Sequence, residues 1–332
     1  MNVQNPKSLA GAIHLLEKAG NTKRGETVLL VVDENTKNLA DIFESAAKGL
    51  GLSIVTCLTE VGKNHGEEPI ADVAAKMRTS TLIVALTTFS LAHSKARQEA
   101  SASGARFLSL PQYSEALLSH EMVLVDYQGL SPRVKAVSET FTRGNTIHMS
   151  SAAGTDLTVD ISGRFGNYCP GFVEDAGNIG SPPDIEANIS PIESSASGVA
   201  VIDGSITHPS IGLLDSSVRI EFLEGVATDF SSGDPGLDKC LSELFQDENW
   251  RRRVLAEIGI GLNPAAELTG LMLSDEGALG TAHLGLGSNF YVGGKNLVDF
   301  HLDFVIRDVS LSVDNVPIMA NGVFVLNESG GI

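Results

Sequence analysis

Toward the end of the chain, "DFHLDFVI" places His301 and Asp303 two residues apart in an apolar run. A strand sends alternate side chains to one face. His301 and Asp303 therefore project together, while Leu302, Phe300 and Phe304 turn the other way, into a core. Aspartate is depleted in strands and is rarely buried unless paired or bound to metal. A cation satisfies an imidazole and a carboxylate at once. Upstream, "TAHLGLG" sets His283 among small residues. Gly285, Gly287, Gly293 and Gly294 there permit a close backbone approach or a tight turn beside a site.

A lone core histidine is more often satisfied by a carbonyl than by a metal, so the acids decide the reading. "SPPDIEANISPIE" carries Glu186 in an alternating, otherwise neutral run. "RRVLAEIGIGLNP" carries Glu257, expected at the end of a helix just before a glycine-broken apolar strand. In "LSDEGALGTAH", Asp275 and Glu276 are expected to cap a short helix. Hard carboxylate oxygens with imidazole nitrogens suit Zn, Co, Mn or Fe(II) rather than Ca. The chain has no HExxH and no CxxC, which removes the zincin and structural-zinc readings.

These residues need elements to position them. The first 125 or so residues alternate helical patterns with short apolar strands, "ETVLLVVD", "LSIVTCL", "TLIVAL" and "ARFLSL". That order predicts a parallel sheet covered on both faces. The fold class expected is α/β, with an N-terminal parallel-sheet, Rossmann-like domain over 1–145. A β-rich, mixed α+β catalytic domain is expected over 146–332. The first domain lacks GxGxxG and GxxxxGK[ST], so it reads as a scaffold, and Asp33 after its first strand reads as a loop or cap residue. The segment 128–144 reads as a connecting helix and 236–259 as a second helix. Residues 311–326 read as a closing hairpin.

The 332 residues carry a net charge of −18. Such a field disfavours nucleic acid and anionic membrane surfaces and attracts cations and amines. Three separated cysteines, Cys57, Cys169 and Cys240, give no disulfide framework, and a reducing, cytoplasmic compartment is expected. No apolar stretch approaches the ~18 residues of a membrane span.

The run "AEIGIGLNPAAELTGLMLSDEGALGTAHLGLGSNFYVGGKNLVDFHLDFVI", with "PDIEANISP" before it, resembles the thermophilic metallo-aminopeptidases of the aminopeptidase T/S group. The resemblance runs over roughly residues 150–326. It implies two divalent ions (Zn, Co or Mn) held by Glu186, Glu257, His283, His301 and Asp303. It further implies a bridging water as nucleophile, with Glu257 and Glu186 as catalytic carboxylates, and a homodimer acting on small peptides or amino-acyl amides. Tyr291 is a candidate for stabilising an oxyanion. This chain departs from that pattern at Gly277, where the group has lysine, and at Ile185, where it has glycine.

"GGKNLVDFHLD" is also similar to Fe(II)-dependent ring-cleaving dioxygenases of the dihydroxypyridine type. On that reading His283, His301 and Asp303 of this chain would form a two-histidine, one-carboxylate triad. Those dioxygenases carry histidine where this chain has Glu257, and they lack counterparts of Glu186 and His283. The residues therefore favour a metal-dependent aminopeptidase over a dioxygenase, and either over a non-catalytic metal-binding protein.

Overall fold

The structure is a computed structural model and describes residues 5–245 and 249–327. By internal contacts the chain forms two compact units. One takes the chain up to Gly129 together with Gly171–Pro183; the other takes Leu130–Pro170 and everything from Asp184 onward. Both α-helices with a parallel sheet and antiparallel β-rich sheets are present, so the mixed α/β class holds.

In the first unit, strands β1 (Thr27–Val32), β2 (Ser53–Leu58), β3 (Leu82–Leu86) and β4 (Arg106–Ser109) pair in the order β2-β1-β3-β4, with Ile179–Gly180 added beside β4. Every pairing is parallel. The central strands β1 and β3 are apolar and buried almost throughout, as a parallel sheet covered on both faces requires. The helix Ala40–Leu50 stops at Gly51, whose φ of 70° is the left-handed conformation that glycine adopts without strain. Asp33 is buried after β1 and accepts from the N–H groups of Asn35 and Thr88 and the hydroxyl of Thr36. It is a loop clamp, because its acceptor capacity goes to local donors.

The second unit holds two antiparallel sheets. The larger has eight strands and includes the hairpin Ser310–Val313 to Val316–Ala320. Asp314 and Asn315 both sit at positive φ in its two-residue turn, which matches the twist of the flanking strands. The smaller sheet orders its strands Gly212–Leu213, Ser205–Ile206, His301–Ile306, Ala282–Gly287, Leu255–Gly261, Glu186–Ile189 and Asn167–Cys169.

The strand Leu255–Gly261 corrects the sequence reading. The helix expected over 236–259 is a helix over Pro235–Phe245 and a short 3-10 turn over Trp250–Arg253; residues 246–248 lie outside the described part. Residues 254–262 are an apolar run broken by Gly259 and Gly261, and both neighbouring strands hydrogen-bond to it. Sheet pairing on both sides outweighs the helical spacing of the residues before it. Glu257 is thus a mid-strand residue, not a helix end.

One face of this sheet is apolar. Ile258, Ile260, Leu284, Leu286, Leu302 and Phe304 are buried, each contributing roughly 1.5–3 kcal/mol relative to exposure. The helix Pro235–Phe245 reaches this face through Phe245, stacked on Phe230 at 4.5 Å and tilted against Phe304 at 6.3 Å. No helix among the described residues is long and apolar enough to cross a membrane.

Asp275 corrects a second reading. It lies within the short helix Met272–Gly277, whose N-cap is Leu271. Its buried carboxylate accepts from the N–H groups of Thr269 and Gly270 and the hydroxyl of Ser205. It ties the loop that leads into the His283 strand to the sheet. Asp275→Ala leaves those donors unpaired, and the expected loss of about 3 kcal/mol is read as a lowered urea midpoint at unchanged slope; a shift below ~0.5 kcal/mol would show that water replaces the carboxylate.

Candidate metal centre

Register converts the second face of the smaller sheet into a site. Across the strands, Glu257 faces Gly285, which faces Asp303; Gly259 stands between Asn188 and His283; Gly261 faces Glu186, and Gly287 faces His301. Each polar side chain thus has a glycine beside it on the neighbouring strand. A methyl group on Gly259 would overlap Nε2 of His283 and lie 3.1 Å from Oε2 of Glu186. One on Gly285 would lie 2.8 Å from Nε2 of His301 and 3.0 Å from Oδ1 of Asp303. The glycines hollow the sheet surface so that side chains from four strands lean inward over bare backbone.

Glu186, Glu257 and His283 offer donor atoms that all lie within 4.8 Å of one another, and all three are buried. This cluster is a set able to hold a metal ion. Oε2 of Glu186 is 3.0 Å from Nε2 of His283, outside hydrogen-bond geometry. Oε1 of Glu257 lies 3.8 Å from the same nitrogen, while its Oε2 turns to His301, 3.6 Å from Nε2. His301 meets Oδ1 of Asp303 at 3.2 Å and donates from Nδ1 to the carbonyl of Ser288 at 2.9 Å. That outer bond fixes the ring so that Nε2 faces the carboxylates. The His301 side chain keeps 34% of its surface open, which marks the accessible edge of the group.

Two further acids adjoin the cluster. Asp184 and Glu276 are buried, and Oδ1 of Asp184 and Oε1 of Glu276 have no hydrogen-bond partner, nor does Nδ1 of His283. Glu276 was expected as a helix cap; it instead faces Asp303. Asp184 went unnoticed, although its signal was present: Asp184, Glu186 and Asn188 follow one another at the period of a strand face. Tyr291 lies on the 3-10 turn Phe290–Val292, is 56% exposed, and stands edge-to-face with Phe290 at 5.5 Å.

The electrostatics follow from packing so many acids around two imidazoles. Burial, and then the charge of Glu186, pushes the Asp184 carboxyl well above the carboxylate range. Burial and the neighbouring Asp303 do the same to Glu276. Burial also raises Glu257, against the pull of His283. Burial disfavours the His283 imidazolium, but Glu186 and the other carboxylates overcome this and hold it well above the usual histidine value. For His301, burial is again outweighed, chiefly by Asp303, and its value rises to about 10. Burial works against the Asp303 carboxylate too, yet His301 brings it down to about 2. Orphaned buried oxygens, an imidazole facing two carboxylates and a mixed oxygen–nitrogen donor set fit a first-row divalent ion.

Comparison with known proteins separates the chemistries that such a donor set permits. The pattern of the NicX family, 2,5-dihydroxypyridine 5,6-dioxygenase, matches residues 15–326. A 2,5-dihydroxypyridine 5,6-dioxygenase from Pseudomonas putida is 23% identical over 268 residues, covering 77% of this chain and 75% of that protein. Among solved structures, the 2,5-dihydroxypyridine dioxygenase from Pseudomonas putida superposes with a TM-score of 0.83 at 20% identity, covering 99% of this chain and 100% of that one. AmpT from Thermus thermophilus superposes with a TM-score of 0.68 at 15% identity, covering 96% and 99%.

The expectation of a metallo-aminopeptidase, a hydrolase cleaving peptides or amino-acyl amides, is overturned by the family match over nearly the whole chain. What this chain shares with the aminopeptidase group is the fold. The physical reason for the misreading is that carboxylates and imidazoles on one sheet face bind a divalent ion equally well for hydrolysis or for oxygen chemistry.

Two measurements test the centre. Gly259→Ala and Gly285→Ala are expected to lower divalent-ion affinity at least ~10-fold with the fold retained; unchanged affinity would mean that the hollow is not needed. In the metal-free protein the surrounding carboxylates hold His283 protonated at neutral pH, and an ion taken by Glu186, Glu257 and His283 must displace that proton. Affinity should therefore rise about tenfold per pH unit for that one proton; a flat profile between about pH 6 and 8 would remove His283 from the ion's surround.

Proposed function

The chain belongs to the 2,5-dihydroxypyridine 5,6-dioxygenase family, and from that premise we propose that it opens the ring of a dihydroxylated pyridine with molecular oxygen. The ion proposed is ferrous, held by Glu186, Glu257 and His283. The observation that carries this reading is that the family match spans every segment supplying the buried cluster.

A count of one ion rests on charge. Burial shifts Asp184 and Glu276 toward their neutral forms, and Asp303 is paired with His301. Glu186 and Glu257 then balance one divalent ion. The two ions implied by the aminopeptidase resemblance would leave buried positive charge unmatched.

A ferrous ion, when bound, supplies the one-electron chemistry that molecular oxygen requires. The chain's own residues do the rest. Glu186 and Glu257, on neighbouring strands, and His283, on the next, fix one set of donors from a rigid sheet. His301, at the open edge, holds a proton on Nε2 beside Asp303. From there its N–H can hydrogen-bond a deprotonated ring oxygen of the substrate, and its proton can pass once to the ring-opened product, leaving a neutral imidazole that solvent reprotonates. The apolar sheet beneath keeps water from the back of the site.

The test is anaerobic reconstitution with ferrous ion followed by oxygen uptake on 2,5-dihydroxypyridine. One oxygen molecule consumed per ring opened, with both labelled oxygen atoms in the product, is the expected result; no uptake with a loaded centre would overturn the reading. Glu257→Gln is expected to lose the ion. His301→Ala is expected to keep the ion and lose ~100-fold or more in kcat; loss of the ion in that variant would make His301 a ligand instead.

A further inference from the structure

The side chain that orients Glu186 belongs to a short relay leading out of the cluster. Asn188, on the same strand and two residues along, donates from Nδ2 to Oε1 of Glu186 at 2.6 Å. Its Oδ1 accepts from Nδ2 of Asn167 at 2.7 Å, across the strand pair that sets Asn167 opposite Asn188. The same Nδ2 of Asn167 donates its second hydrogen to the carbonyl of Val292 at 3.2 Å. Both ends of the relay accept only: an ionised carboxylate at one, a backbone carbonyl at the other. The two amides between them therefore have one orientation that satisfies every bond.

Val292 closes the 3-10 turn that carries Phe290 and Tyr291, which are 53% and 56% exposed. The turn lies in the loop joining the His283 strand to the His301 strand. The start of that loop is tied to the site as well, since the Ser288 carbonyl accepts from His301. Elsewhere the loop is pinned away from the cluster. Arg164 donates to the Gly293 carbonyl, and Asn289 donates to Ser190 and Glu193. Two exposed aromatic rings are thus bracketed by two carbonyls, each hydrogen-bonded toward a residue of the metal centre.

We propose that Asn188 and Asn167 are positioning residues that couple Glu186 to the Phe290–Tyr291 turn, so that binding of the ion sets this turn as a platform for a flat aromatic substrate. An ion drawn to Oε2 of Glu186 fixes the carboxylate plane; Oε1 then fixes Asn188, and through Asn167 the Val292 carbonyl. Asn188 acts directly on a donor of the ion, and Asn167 acts on the turn. The coupling rests on the metal reading of Glu186 given above; the aromatic platform rests on the proposed substrate class.

Hydrogen exchange of the 288–294 segment, with and without ferrous ion under anaerobic conditions, tests it. In the wild type, adding the ion is expected to slow exchange in this segment. Asn167→Ala should bind the ion within about threefold of the wild type yet lose that protection, whereas Asn188→Ala should lose ~10–100-fold in affinity. Asn167→Asp, which keeps the volume and removes both donors, is the second variant should the alanine form fail to fold. With 2,5-dihydroxypyridine, the Asn167 variants should raise KM about tenfold while kcat changes less. Ion-dependent protection that persists in both Asn167 variants, or is absent from the wild type, overturns the relay. A wild type that binds the ion and shows the protection but takes up no oxygen overturns the proposed reaction and leaves the relay standing.

Discussion

The feature on which the rest depends is a matter of register. In four adjacent antiparallel strands, every inward-leaning acid or imidazole of the cluster is paired across the sheet with a glycine. A one-residue slip in any of these strands would send its polar side chains to the apolar face and set large aliphatic side chains in the hollow. Because the opposite face is packed with buried Ile, Leu and Phe side chains, such a slip would expose the core. The hydrophobic face therefore holds the metal face in place, and the precision of the site comes from the sheet rather than from loops.

Charge is the second constraint. Five acids and two histidines meet at one place, and the hydrogen bonds among them leave Oδ1 of Asp184, Oε2 of Glu186 and Oε1 of Glu276 unpaired. Burial shifts Asp184 and Glu276 toward their neutral forms and Asp303 pairs with His301, while Glu186, Glu257 and His283 form a set able to hold a cation. The net charge of −18 over the whole chain favours the arrival of that cation.

The outer ring of hydrogen bonds makes the centre more than its donors. The Ser288 carbonyl fixes one histidine, and Asn188 fixes one glutamate. Both lead to the same loop. The sheet that carries the acids and imidazoles and the loop that carries Phe290 and Tyr291 are in this way joined through backbone carbonyls, which substitutions of side chains leave in place.

The sequence by itself determined the parallel first unit, the β-rich second one, and the types of residue at the centre, because period-two alternation and misplaced polar residues are local signals. Glu186, Glu257, His283, His301 and Asp303 stood out as acids and imidazoles in apolar runs, and the structure sets them on neighbouring strands of one sheet. It misplaced Glu257 at a helix end, since the pairing that makes 255–261 a strand comes from segments far away in the chain. It took Glu276 for a cap and passed over Asp184 and Asn188, whose roles exist only where strands meet. It also chose the wrong reaction. Residue types record that a divalent ion can be held, and hydrolysis and oxygen chemistry ask for the same ones. Only the tertiary structure decided which donors share a corner, which imidazole stands at the open edge, and which glycines give them room, because each of these is a distance between residues that the chain's order does not fix.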